Sequence, residues 1–178
     1  MSEMTPERAQ RAFMRVSGYV DLDLYDLALE SLEPVEASGR FAAECRFWRG
    51  EMFRARDEYT AALPYFEEVL RIEPGHVGAT VSAGWCLKRL ARLAEAMPLY
   101  AEAVKQHPDV AVLHYNKACY LSLLGEAGSA IEALDLAIEL EPEFRMLART
   151  EADFDPIRAM TAFQERLGPA PEEHVPDE

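Results

Sequence analysis

Residues 111–144 read AVLHYNKACYLSLLGEAGSAIEALDLAIELEPEF, and the stretch before them, 77–110, reads VGATVSAGWCLKRLARLAEAMPLYAEAVKQHPDV. Laid one above the other the two keep step over all 34 positions, and 43–76 falls on the same frame, with Pro74, Pro108 and Pro142 at one place. One more step back gives 9–42, where the proline place holds Arg40. The eighth place of the four units holds Val16, Gly50, Gly84 and Ala118; the twentieth holds Ala28, Ala62, Ala96 and Ala130; the twenty-seventh holds Val35, Val69, Ala103 and Ala137. Small residues at these places let neighbouring helices approach closely, while Leu32, Phe66, Tyr100 and Leu134 at the twenty-fourth place fill the space between them. Each unit therefore reads as a helix, a turn and a second helix, and the chain as an all-α array with no foothold for strands.

The period, the ladder of small residues and the closing proline resemble the tetratricopeptide repeat over residues 9–144, best in 111–142 and least in 9–42. The resemblance implies an α-solenoid, a right-handed superhelix of stacked antiparallel helix pairs, which binds a protein or peptide segment in its concave groove. It names no partner.

At 178 residues the chain is one ordinary domain's worth. Folding at this size buries roughly 70% of the unfolded surface, so no disulfide or metal staple is needed. Three cysteines at spacings of 41 and 33 make neither a zinc-type pair nor an even disulfide set, which suits a reducing cytoplasm. The start, Met1-Ser2-Glu3-Met4-Thr5-Pro6-Glu7, has acids where a secretory leader needs a basic end and an apolar run, and no stretch of 18 uncharged residues occurs. The expectation is a cytoplasmic protein without a membrane partner. Formal net charge is −14, and residues 126–178 hold 14 of the 32 acids but only 4 of the 18 bases. Nucleic acid is excluded as a partner, because phosphate binding needs clustered Lys and Arg. A solvated face accounts for the acidic end.

The helices are expected at about 40–55, 58–71, 76–89, 93–106, 110–123 and 127–140, with a first one opened by Thr5 as N-cap and Pro6 at its first position. Residues 1–8 form an N-terminal extension. Pro64 and Pro98, at the twenty-second place, predict second helices that begin late or bend, and Pro34 predicts a helix that stops near Glu33. After the fourth unit, 145–167 reads as capping helices: a short one near 143–150, then one opened by Asp155 as N-cap and Pro156, which buries Ile157, Met160, Phe163 and Leu167. The segment Phe154-Asp155-Pro156-Ile157-Arg158 resembles endings of bacterial repeat proteins. Residues 168–178, Pro-rich and acidic, read as a disordered tail.

Nothing in the chain reads as catalytic. No nucleotide-binding glycine loop and no nucleophile elbow occurs, so neither enzyme activity nor a cofactor or metal is expected. His76 and His107 fall in turns, His174 in the tail, and His114 at a place that packs between helices. Cys45 and Cys86 face neighbouring helices as small hydrophobes, and Cys119 leans toward the groove.

The binding surface is expected on the first helices of the units. Phe13, Phe47, Val81 and Tyr115 share the fifth place; Trp48 and Asn116 hold the sixth, and Trp85 and Cys119 the ninth. Exposed aromatic clusters of this kind are candidate hot spots. Packing between adjacent first helices, or a C-terminal segment folded over the aromatics, would fill the same places. Arg54 and Lys88 at the twelfth place and Arg89 at the thirteenth add positive charge, with Glu51 the one acid nearby. Together they suit a partner with an apolar anchor beside an acidic group.

Family members that grip the acidic tails of heat-shock chaperones do so with Lys, Asn and Arg side chains. The corresponding positions here read Phe13, Ser17, Trp48, Gly78 and Ser82, or one unit on Phe47, Glu51, Ser82, Val112 and Asn116, and lack that clamp. The resulting reading is a non-catalytic interaction module of the scaffold, adaptor or co-chaperone kind. A homo-oligomeric scaffold, whose groove is filled by another copy of the chain, is the alternative.

Overall fold

The computed structural model describes residues 3–169, and among these every regular element is helical. The chain divides into two compact units that meet in sequence at Gln106 and His107. The first unit contains α1 (Pro6–Asp21), α2 (Tyr25–Glu36), α3 (Ala42–Ala55), α4 (Tyr59–Ile72), α5 (Val77–Arg89) and α6 (Leu93–Gln106). They pack as the pairs α1/α2, α3/α4 and α5/α6, and α3 also lies against α1 and α5. The second unit contains α7 (Ala111–Leu123), α8 (Ala127–Leu140), α9 (Phe144–Thr150), a 3-10 segment (Ala152–Ile157) and α10 (Thr161–Leu167). The part of the acidic tail beyond residue 169 lies outside the described residues.

Inside each pair the core is made where the sequence puts it. Val16, Ala28, Ala62, Ala96, Ala118 and Ala130 are fully buried, as are Leu32, Phe66, Tyr100 and Leu134. The eighth and twenty-fourth places are matched in volume. Glycine goes with an aromatic at these two places in Gly50/Phe66 and Gly84/Tyr100, whereas a larger eighth residue goes with leucine in Val16/Leu32 and Ala118/Leu134. At Gly50 the fit is tight, since a Cβ there would lie 2.7 Å from Cε1 of Phe66.

A second feature recurs once in every repeat. The amides of Leu24, Glu58, Arg92 and Glu126 donate to the carbonyls of Tyr19, Phe53, Leu87 and Leu121 at 2.8 to 2.9 Å. The residue just before each of these donors, Asp23, Asp57, Ala91 or Gly125, has φ between +56° and +80°. This is the left-handed closure that ends a helix and reverses the chain. Asp tolerates the conformation, and the Tyr25 and Tyr59 hydroxyls donate to the Asp23 and Asp57 carboxylates. Ala91 adopts it with no side-chain compensation of that kind.

Two expectations from the prolines need correction, and of a third, that α4 and α6 begin late or bend, the late start does not occur. The helices α4 and α6 start at Tyr59 and Leu93 and run on through Pro64 and Pro98, so neither begins late. Likewise α2 continues through Pro34 to Glu36. Pro34 lies on the solvent side, where water can take the carbonyl its missing N–H leaves open, while buried Val35 holds the last turn to the core. Asp155 and Pro156 do not open the last helix. They lie inside the 3-10 segment, and α10 starts only at Thr161. Phe154 and Ile157 explain this: both are buried, and a spacing of three puts them on one side of a 3-10 turn. The chain then breaks at Arg158, whose guanidinium donates to the carbonyls of Arg149 (2.5 Å) and Glu151 (2.6 Å). Met160, expected in the buried stripe, is exposed, whereas Phe163 and Leu167 are buried.

Candidate interaction surface

In the first unit the first helices of the pairs, α1, α3 and α5, carry the expected binding residues, and most of the aromatics there are used for packing. Phe13 and Trp48 are half-buried against the cluster that includes Ala9, Val16 and Leu32. Phe47 is wedged between three elements: its ring lies 6.0 Å from Phe66 on α4 and 5.5 Å from His76, and it closely approaches Gly78 at the start of α5. His76 itself caps α5, its Nδ1 accepting from the Ala79 amide at 3.1 Å. Val81 is half-buried. Trp85 is the large aromatic left open, 42% exposed.

The bases differ among themselves. Arg54 donates twice to the Glu51 carboxylate, at 3.0 and 2.7 Å, and Ser82 Oγ on α5 donates to the same carboxylate at 2.6 Å. This bond set ties α3 to α5, and the bidentate pairing holds the guanidinium above its usual range. Arg54 is therefore a structural base, already neutralised by Glu51. Lys88 and Arg89 lie over aromatic faces: the Lys88 ammonium sits 5.5 Å from the Trp85 ring centre, and the Arg89 guanidinium 5.4 Å from that of Tyr59. A ring face attracts a cation at such a distance, and for Arg89 it does so without cancelling the charge. Exposed Trp85 and Arg89 with half-buried Lys88 thus form one aromatic and cationic patch on a single helix. Tyr59 and Ser82 were not legible as its neighbours, because their roles depend on how α3, α4 and α5 pack. The Glu51/Arg54 pair did have a signal, opposite charges three residues apart on one helix.

In the second unit the expected site residues do not form an open surface. Tyr115 is buried, with its ring 4.6 Å from Phe144 and 5.8 Å from Phe154, which in turn lies 5.3 Å from Phe163. Burial raises the phenol well above its ordinary range. Cys119 is buried as well, and the Asn116 amide donates to the Val112 carbonyl at 2.9 Å. The C-terminal segment has filled this face of α7. His114 is also buried, with Nε2 2.9 Å from the Pro108 carbonyl oxygen. Arg149 bonds the carbonyls of Leu167, Gly168 (3.1 Å) and Pro169 (2.7 Å), and so anchors the end of α10.

Elsewhere in the first unit a cleft of about 560 Å³ is lined by Glu36, Arg40, Arg46, Arg49, Tyr65 and Glu68. Its charges are already matched, Arg46 to Glu68 at 2.7 Å and Arg49 to Glu36 at 2.6 Å. Cys45 also borders it, with burial and then Glu36 lifting the thiol to about 11; burial lifts Cys86 to about 11 too. Thiols held protonated in this way are poor nucleophiles. Among the described residues no group of acids, His and Cys is arranged to hold a metal, and no helix is long and apolar enough to cross a membrane.

Three family models, each described as tetratricopeptide repeat, match residues 13–77, 53–118 and 111–144. The chain is 25% identical over 139 residues to the human protein O-mannosyl-transferase TMTC2, a match that takes in 76% of this chain but only 16% of that protein. Among solved structures it resembles MamA (41-end) from Desulfovibrio magneticus RS-1, with a TM-score of 0.65, 20% identity and 82% of both chains covered. It also resembles a thermophilic TPR protein of Thermus thermophilus, with a TM-score of 0.64, 22% identity and 77% of both chains covered. YrrB, described as a TPR protein with an unusual peptide-binding site, gives a TM-score of 0.63 and 23% identity over 82% of this chain and 77% of its own. These likenesses are of fold.

Proposed function

The chain belongs to the tetratricopeptide repeat family, and from that premise we propose that it is a non-catalytic protein-interaction module that receives a peptide or protein segment on the first-helix face of its first unit. The carrying observation is the contrast between Trp85 and the other aromatics: Phe13, Phe47 and Trp48 are engaged in packing, while Trp85 stays open beside Lys88 and Arg89. Tryptophan and arginine are enriched among the residues that dominate the energetics of protein interfaces. The ligand this favours presents an apolar side chain to Trp85 and a carboxylate to exposed Arg89. The peptide-binding description of YrrB supports a segment rather than a small molecule as ligand. The mannosyl-transferase likeness supports no enzymatic reading, since it is confined to a small part of that protein.

The test is affinity for a partner isolated from the native lysate. Removal of an aromatic anchor costs about 2 kcal/mol or more, roughly a thirtyfold loss, against about 0.2–1 kcal/mol for an exposed charge. Trp85→Ala should therefore weaken binding far more than Lys88→Ala, at unchanged helix content. A folded Trp85→Ala protein that binds with full affinity refutes the assignment.

A further inference from the structure

Two helices, one in each unit, present exposed stripes of opposite charge. On α1 the outward stripe is Arg11, Met14, Arg15, Gly18 and, just past the helix end, Leu22, with Met14 and Leu22 69% and 67% exposed. On α8 it is Glu132, Leu136, Glu139 and Leu140, with the leucines 46% and 40% exposed, and exposed Glu141 and Glu143 follow. Other arginines of the first unit are matched within the chain, such as Arg46, Arg49, Arg54 and Arg92. Among the described residues Arg11, Arg15, Glu132, Glu139 and Glu143 enter no ion pair.

The spacing of the two stripes corresponds in antiparallel register. Steps of one, four and eight from Met14 reach Arg15, Gly18 and Leu22; the same steps back from Leu140 reach Glu139, Leu136 and Glu132. Met14 then meets Leu140, Arg15 meets Glu139, and Leu136 enters the gap at Gly18, where a Cβ would touch nothing within 4 Å. Leu22 lies along the methylene stem of Glu132, and Arg11 falls beyond Leu140, near Glu141 and Glu143. Both helices offer neighbours three and four apart on one side, the arrangement by which helix pairs interlock.

We propose that α1 of one copy docks antiparallel on α8 of a second copy. The occupant is committed by charge: in a protein of net −14 the arginine-bearing stripe of α1 is a local exception, and its complement in sign and spacing is present on the same chain. The two stripes are different surfaces and each copy carries one of each, so the contact is head-to-tail and either closes into a ring or continues as a chain. This goes beyond the Trp85 reading and uses none of its residues.

The test is the mass of the full chain by light scattering over a concentration series, in about 0.1 M and about 1 M salt, where screening shortens from about 10 Å to about 3 Å. The mass should climb above 20.0 kDa with concentration in the lower salt and return to that value in the higher. Arg11→Glu with Arg15→Glu should abolish the climb, and so should Glu132→Arg with Glu139→Arg. These positions are exposed, so helix content should be retained, and circular dichroism checks it. Mixed in equal amounts, the two silent variants should associate again, because each supplies the charge the other lacks. A wild type that stays at 20.0 kDa throughout overturns the proposal. So does association that survives either reversal, or a mixture that stays monomeric; in those cases the contact is elsewhere or absent.

Discussion

The matched volumes at the eighth and twenty-fourth places can be tested as a coupled pair. In Gly50→Ala the new Cβ would lie 2.7, 2.9 and 3.1 Å from three ring carbons of Phe66. Non-bonded carbons prefer about 3.5–4.0 Å. The ring is fully buried, with Phe47 6.0 Å away, so it has little room to retreat. Overpacking of this kind costs about 1–3 kcal/mol, a melting-temperature loss of roughly 2–12 °C for a chain of this size. Phe66→Leu alone leaves a cavity and should cost about 1–2 kcal/mol, less than full truncation of a buried Phe. The double variant recreates the Ala118/Leu134 pair of the second unit, so the alanine gains the room the ring gave up. Urea unfolding followed by far-ultraviolet circular dichroism should give a double-variant cost below the sum of the singles by about 1–2 kcal/mol. Costs that add to within about 0.5 kcal/mol would refute volume matching as the rule at these places.

Ala91→Gly should raise stability by about 0.5–1 kcal/mol, because Ala91 holds a positive φ, and Gly125→Ala at the same place of the next unit should lower it by about 1 kcal/mol; denaturant midpoints that move in the same direction contradict this. Phe154→Ala should cost about 3–5 kcal/mol and uncover Tyr115, so the phenol, held high by burial, should titrate lower in an absorbance titration; an unchanged titration would mean that Phe154 does not shield it. Cys45 and Cys86 are raised from an ordinary value near 9 to about 11, so the unfolded chain releases these protons first, and their contribution to stability is intact below about pH 9 and lost as pH rises toward 11. A Cys45→Ala/Cys86→Ala protein should therefore lose stability less steeply over that window, and equal slopes in pH-dependent unfolding would contradict this.

The repeat was legible because it rests on residue size at fixed spacing: Gly50 with Phe66 and Ala118 with Leu134 can be read off the chain without a structure. The turns were less so. Gly125 announces a left-handed residue, whereas Asp23, Asp57 and above all Ala91 take the same conformation because the helix pair around them imposes it. The prolines misled because a missing N–H at an exposed position costs little when water is at hand and the rest of the helix is anchored by Phe66, Tyr100 or Val35. At the candidate site, sequence placed Trp85, Lys88 and Arg89 on one helix, but it had no means of telling an aromatic that packs from one that does not. Phe47 is consumed by Phe66 and His76, which its place in the repeat does not reveal. Tyr115 is buried because residues 152–167 turn in a 3-10 segment where a plain helix was expected, and that segment brings Phe154 onto α7.

Trp85 can report on its own contacts. With Trp48→Phe in place it is the only tryptophan, since the chain has two. Its emission should be that of a solvent-exposed indole and should be readily quenched by acrylamide. Addition of the isolated partner should shift the emission to shorter wavelength and protect it from the quencher, with a midpoint equal to the binding midpoint measured independently. A partner that binds to saturation while the emission and quenching of Trp85 stay as in the free protein would contradict the assignment of this face as the binding surface.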